Sequence, residues 1–158
     1  MREKAKVFER VVFNLVFDNR DDHPKNFAYL MSPTGTWTLA PAYDVTSCEG
    51  PGGYHQMDVM GEAMAIGRKQ LLQLGVQEAE LSEAQVSDII GKICDGASHF
   101  TSLTKHLLPH QVTAEPLHAS QRQIDDNIRQ LTSIPRIGVG LYLGARPPAI
   151  AGRHKAHR

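Results

Sequence analysis

Asn19-Arg20-Asp21-Asp22-His23-Pro24-Lys25-Asn26 is the stretch on which the reading of this 158-residue chain turns. It gathers carboxylate, amide and imidazole side chains between two apolar segments. A further carboxylate, Asp44, follows eighteen residues after Asn26, in Ala40-Pro41-Ala42-Tyr43-Asp44. On the N-terminal side Val7, Phe8, Val11, Val12, Leu15 and Val16 recur at helical spacing, which predicts a lead helix over Arg2 to Phe17 with one apolar face. On the C-terminal side Phe27 to Met31 and Trp37 to Ala40 predict two short strands around a Ser-Pro-Thr-Gly turn. Phe27, Tyr29, Met31, Trp37 and Leu39 alternate along them, so one face is expected to meet the core, with Trp37 as a packing residue.

The order helix, polar loop, hairpin, Asp has a chemical use. A hairpin folds back on itself with its strands about 5 Å apart, so Asp44 returns close to Asn26. The two can then offer oxygens to one hard cation, and magnesium takes such ligands while keeping waters and phosphate oxygens in its other positions. Asp21, five residues before Asn26, stands near that metal without having to bind it, and is free to accept a proton from a hydroxyl. Each residue alone has a plainer reading. Asp21 or Asp22 alone suits a solvated loop or a helix cap, and Asp44 alone suits a turn. Their order around a hairpin is what points to chemistry.

An Asp, four intervening residues, an Asn and then a hairpin leading to a metal-binding Asp is the catalytic-loop layout of protein kinases. Here His23 stands two residues after the first Asp, and Tyr43-Asp44 takes the place of Asp-Phe-Gly. Asn19 to Phe27 with Pro41 to Asp44 resembles the HipA family of bacterial serine/threonine kinases, known as toxins of toxin–antitoxin pairs. The resemblance is specific over about Val11 to Ser47 and weaker to about Leu131. It implies that Asp21 is the catalytic base, that His23 orders the loop, and that Asn26 and Asp44 hold Mg2+ and thereby ATP, while the role of Lys25 stays open. It also implies the fold: mainly α with a small hairpin, like the larger, C-terminal lobe of a kinase. A nucleotide-binding lobe precedes this segment in complete kinases, so the chain is expected to be the C-terminal half of such an enzyme, inactive until that lobe is supplied. The partners implied are a protein substrate, a separate N-terminal lobe and a DNA-binding antitoxin.

The rest of the chain bounds this reading. The length fits one domain over residues 1–134, followed by a Gly-, Pro- and Arg-containing tail over 135–158 that is expected to be disordered. Seventeen basic residues balance seventeen acidic ones, so electrostatics offers no case for direct nucleic-acid binding. No apolar run approaches a membrane span or a signal peptide. Cys48 and Cys94 lack metal-like spacing and are expected as free buried thiols, which suits a reducing cytoplasm.

Thr46 to Gly53, rich in Gly and Pro, is expected to be a mobile loop at the position of a kinase activation segment. A short helix from about Arg68 is expected to stop at Gly75, and Met57 to Leu74 to supply core. Ser82 with Gln85 predicts a capping box opening a helix to Leu107, kinked near Asp95 and ended by Pro109. Thr113 to Ile134 predicts a last helix facing inward through Leu117, Ile124, Ile128 and Leu131, with Asp125-Asp126 solvated. The proline between His106 and His110 argues against a zinc pair. Two other functions compete: a non-catalytic module that binds an antitoxin or other partner through its helical surface, and, ranked below it, a metal-dependent hydrolase. The hydrolase is disfavoured because His and Glu residues are not expected to gather near the loop.

Overall fold

The chain was analysed as a computed structural model that describes residues 2–108 and 113–133. It is mostly helical with one two-stranded antiparallel sheet. The lead helix α1 spans Arg2–Val16 and sinks the face carrying Phe8, Val12, Leu15 and Val16 into the core. Against that face pack α3, Glu83–Ser98, and α5, Ala114–Thr132. Helix α3 contributes Val86, Ile90, Cys94 and Ala97, at the three- and four-residue spacings that line one helical face, and α5 contributes Ile124 and Leu131. Ile128 packs on the edge of this cluster, and Leu117 is buried as well.

Helix α3 opens on the predicted capping box. The Gln85 amide nitrogen donates to Ser82 Oγ at 3.2 Å and the Ser82 nitrogen donates to Gln85 Oε1 at 2.9 Å. The helix does not run to Leu107: it breaks at His99, and α4, Phe100–Leu107, follows. The break lies four residues beyond the expected kink at Asp95, where tertiary partners exist for the freed backbone groups. Gln121 of α5 accepts from the Thr101 nitrogen at 2.9 Å and donates to the Ala97 carbonyl at 3.3 Å. Phe17, stacked on Phe13, meets the edge of Phe100 at 5.8 Å between ring centroids and ties α4 to the end of α1.

The short helix α2, Arg68–Gln73, does not end at Gly75. Residues Leu74–Glu78 continue it as a wider turn in which the Ala79 nitrogen reaches the Leu74 carbonyl at 3.0 Å. Gly75 serves a different need from the expected left-handed cap. A Cβ at this position would sit 2.3 Å from Val86 Cγ2 and 3.3 Å from Phe8 Cε2, so the absence of a side chain lets the turn close on α1 and α3.

The hairpin pairs β1, Tyr29–Met31, with β2, Trp37–Leu39, in the register Tyr29 to Leu39 and Met31 to Trp37. Its turn and position are as expected, but its burial is not. Tyr29, Leu30, Met31 and Trp37 are each between 48% and 60% exposed, and only Leu39 and Ala40 reach the core. Three-residue strands project beyond the helix that supports them, so Trp37 has no layer to pack into. The hairpin is held from below by α1. Glu3 accepts from the Leu39 nitrogen at 2.6 Å, and Arg10 donates to the Ala40 carbonyl at 2.7 Å while its guanidinium lies 5.6 Å from the Phe27 ring centre.

The expected stop at Pro109, the second histidine His110, Ile134 at the expected end of the last helix, and the tail over 135–158 lie outside the described residues. Within them, Asp126 pairs with Arg129 and Asp125 accepts from Gln121, the solvated-face arrangement expected of that pair. No described helix is long and apolar enough to cross a membrane. Cys48 and Cys94 are both free thiols, Cys94 buried as expected and Cys48 only half-buried.

Candidate functional site

Helix α1 ends because Asp18 turns into the left-handed region at φ 55°, a conformation that Asp adopts more readily than most side chains. The Asn19 nitrogen then bonds the Asn14 carbonyl at 2.9 Å, and the Asn19 side chain donates to Asn14 Oδ1 at 3.1 Å, both residues being buried. From there the chain runs extended to a single 3-10 turn, Pro24–Asn26, where the ring of Pro24 presets the first φ. The turn closes through Asn26 to the His23 carbonyl at 2.9 Å and Phe27 to the Pro24 carbonyl at 3.1 Å.

Within this loop Asn26 is 8% exposed and spends its amide hydrogen on the Asp21 carbonyl at 2.9 Å. Its Oδ1 accepts no hydrogen bond among the described residues. Asp44 lies across the hairpin on an exposed, left-handed residue of φ 53°. Its neighbour Tyr43 donates to the Lys25 carbonyl at 2.5 Å, which anchors the Asp44 segment one residue from Asn26. Asp21 presents its carboxylate at the surface, with Oδ1 accepting from the side chain of Gln56. His23 Nε2 is 3.8 Å from the same oxygen, too far for a hydrogen bond, and its Nδ1 is buried without a partner. His23 therefore shapes the turn through its backbone carbonyl; its ring makes no bond to Asp21. Lys25 enters through its carbonyl alone, as the acceptor of the Tyr43 hydroxyl.

Three residues of the cluster escaped sequence reading. Asp22, read there as a solvated loop or cap residue, is 5% exposed. Its Oδ2 lies 2.9 Å from His55 Nδ1, and its Oδ1 accepts from the backbone nitrogens of Gln56 at 2.9 Å and Met57 at 3.2 Å. A buried carboxylate needs such donors, because leaving it unsatisfied would cost several kcal/mol. His55 thus does gather at the loop, contrary to the sequence reading; at 7% exposure and with its nitrogen from the backbone on Ala63, it is a strut for Asp22. The partners lie more than thirty positions apart, and no local pattern around His55-Gln56 announces them.

The stretch from Thr46 to Gly53 is likewise not the free loop its composition suggests. The Cys48 nitrogen donates to the Asp18 carbonyl at 2.9 Å, Arg20 returns a bond from its own nitrogen to the Cys48 carbonyl at 3.3 Å, and Pro51–Gly53 forms a 3-10 turn. The Arg20 guanidinium bridges Asp18 Oδ1 and the Gly53 carbonyl. Gly50, at φ 65°, comes so near that a Cβ would meet Arg20 Cβ at 2.9 Å and the Tyr54 carbonyl at 2.8 Å. Here glycine permits close approach and adds no slack.

Asn26 Oδ1 and the Asp44 carboxylate are both oxygen donors. Among the described residues no three His, Cys, Asp or Glu side chains cluster as a metal site, so a cation bound here would take two protein ligands and fill its other positions from water and phosphate. The donor chemistry fits magnesium. A groove of about 730 Å3 runs between α1, α3 and residues 39–45, walled by Arg10, Phe13, Leu39, Val45 and Ile93; neither Asn26 nor Asp44 is in its wall.

No curated protein matches the chain. The family model described as the HipA-like C-terminal domain matches residues 1–100, which take in α1, the polar loop, the hairpin, Asp44, the Asp22–His55 cluster and all of α3. By its loop, its hairpin and this match over most of its length, the chain belongs to the HipA-like C-terminal domain family.

Proposed function

We propose that this chain is the C-terminal lobe of a HipA-like serine/threonine kinase, and that it serves Mg2+-dependent transfer of the ATP γ-phosphoryl group to a protein Ser or Thr hydroxyl. The observation that carries the proposal is the way Asn26 is spent. One amide hydrogen is committed to the Asp21 carbonyl and Oδ1 accepts no hydrogen bond among the described residues, while Tyr43 ties the Asp44 segment to the Lys25 carbonyl.

Bound magnesium would neutralise charge on the phosphates. The chain's own residues have separate tasks. Asn26 and Asp44 supply the oxygens that hold the cation. Asp21, which is not needed as a ligand, offers Oδ2 to the acceptor hydroxyl and takes its proton. The nucleotide base and the outer faces of the phosphates would fall to a nucleotide-binding lobe of the kind that complete kinases carry.

Calorimetric titration with Mg2+ and ATP tests the assignment directly. Binding is expected in the folded chain and is expected to vanish in Asp44→Ala; an Asp44→Ala chain that binds Mg-ATP with unchanged affinity would overturn the site.

A further inference from the structure

The Asp21 carboxylate is not oriented by its neighbours in the loop. His23 stops 3.8 Å short of it, and Asn26 bonds only the Asp21 main chain. The group that does reach Oδ1 is the Gln56 side chain, from the far end of the segment that follows Asp44. An ionised carboxylate only accepts hydrogen bonds, so the Gln56 amide must present its NH2 to Asp21. That choice leaves Oδ2 without a hydrogen bond among the described residues.

Gln56 is itself held by the residue next to Asp21. Its backbone nitrogen donates to Asp22 Oδ1 at 2.9 Å and more weakly to the Arg20 carbonyl at 3.2 Å, and Met57 adds a second bond to Asp22 Oδ1 at 3.2 Å. His55 Nδ1 fixes the other Asp22 oxygen from the buried side. Asp21 and Asp22 therefore grip the same short stretch, one by side chain to side chain at the surface and the other by side chain to backbone beneath it.

We propose that Gln56 is a positioning residue for the Asp21 carboxylate, turning Oδ2 toward the acceptor hydroxyl, and that buried Asp22 is the latch that keeps Gln56 in place. The hydroxyl part of this proposal rests on the reading of Asp21 as proton acceptor; the latch rests on the hydrogen bonds alone. One consequence is coupling: any protein substrate that displaces residues 54–57 releases the orientation of Asp21. Alignment of the transfer step then depends on how the segment after Asp44 is seated.

The test has one arm free of nucleotide chemistry. In NMR spectra of the chain, Asp21→Ala is expected to move the Gln56 side-chain amide signals to those of a solvated glutamine while the Met57 backbone amide stays protected. Asp22→Ala is expected to speed Met57 amide exchange at least tenfold and to free the Gln56 side chain as well. Where Asp22→Ala does not fold, Asp22→Leu, which fills similar space without an acceptor oxygen, is expected to show the same change. Gln56 signals indifferent to Asp21→Ala, or Met57 exchange indifferent to both Asp22 variants, would overturn the latch.

The second arm measures phosphate transfer from Mg-ATP to dephosphorylated casein by the chain together with its nucleotide-binding lobe. Gln56→Met and Gln56→Glu should lower kcat about tenfold or more at unchanged KM for ATP, with Gln56→Glu the worse because it sets two carboxylates face to face. Equal loss through KM, or no loss, would overturn the positioning role. Absence of Mg-ATP binding by the chain together with a nucleotide-binding lobe, alongside the expected NMR pattern, would instead remove the phosphoryl-transfer reading and leave the latch standing.

Discussion

The packed helices and the polar cluster at residues 18–57 are stabilised by opposite means. Between α1, α3 and α5 the contacts are apolar, with Phe8, Val12, Val86, Ile90, Ile124 and Leu131 packed in one buried cluster. In the cluster, cohesion comes from directed hydrogen bonds on single atoms, among them Asp22 to Gln56, Met57 and His55, Arg20 to Gly53, and Tyr43 to Lys25. Burial energy scales with area, about 25 cal/mol per Å2, whereas a hydrogen bond contributes only about 1 kcal/mol net yet costs more when one partner is removed. The helices should therefore govern stability, and the cluster should govern geometry.

The sharpest way to break that contrast is Phe8→Ala. Phe8 is 1% exposed in the centre of the core, and its truncation is expected to cost about 3–5 kcal/mol in denaturant unfolding. A loss below about 1 kcal/mol would mean that the helices are not what holds the chain together. Next in size is Gly75→Ala, for which the new methyl must displace Val86; the expected loss is about 2 kcal/mol, read from the same midpoint shift. An unchanged midpoint would show that the α2 turn gives way without cost.

Cys94 sharpens the comparison through pH. Burial holds its thiol above the ordinary range, offset in part by the Arg68 charge. The folded chain therefore keeps a proton that the unfolded chain releases at about pH 8.5, the ordinary thiol value. The stability linked to this proton is fully present below about pH 8.5 and is lost as pH rises through the folded value. Melting temperatures should accordingly fall more steeply between pH 8 and 10 in the native sequence than in Cys94→Ala; equal slopes would place Cys94 in a solvated position. The smallest effect belongs to Trp37→Ser, expected within about 0.5 kcal/mol because the side chain is 58% exposed. A large loss there would make the hairpin part of the core after all.

Where the sequence was legible, the signal was local. The spacing of Phe8, Val12 and Leu15, the Ser82–Gln85 box and the turn after Met31 each speak through neighbours within a few positions, and each element formed near where it was expected. Misreadings arose where a residue's meaning lay far along the chain. Gly75 looked like a helix stop until Val86 came within reach, and Thr46 to Gly53 looked free until Asp18 and Arg20 bound it. Trp37 followed the alternation of a buried strand, but alternation does not say whether a second layer exists to cover it.

By itself the sequence determined the helical class, the order of helix, polar loop and hairpin, the family, and the four residues Asp21, His23, Asn26 and Asp44 as candidates. The class and the order of elements follow from periodicity and short spacings, which the covalent chain enforces; the family and the role of His23 follow from the motif's resemblance to known kinases. Only the tertiary structure decided that Asp22 is buried, that His55 stands behind it, and that Gln56 reaches Asp21. Each of those contacts joins positions 33 to 35 residues apart, and a hydrogen bond needs atoms placed to within a few tenths of an ångström. Such placement is set by how the helices pack beneath the loop, and no reading of neighbouring residues contains it.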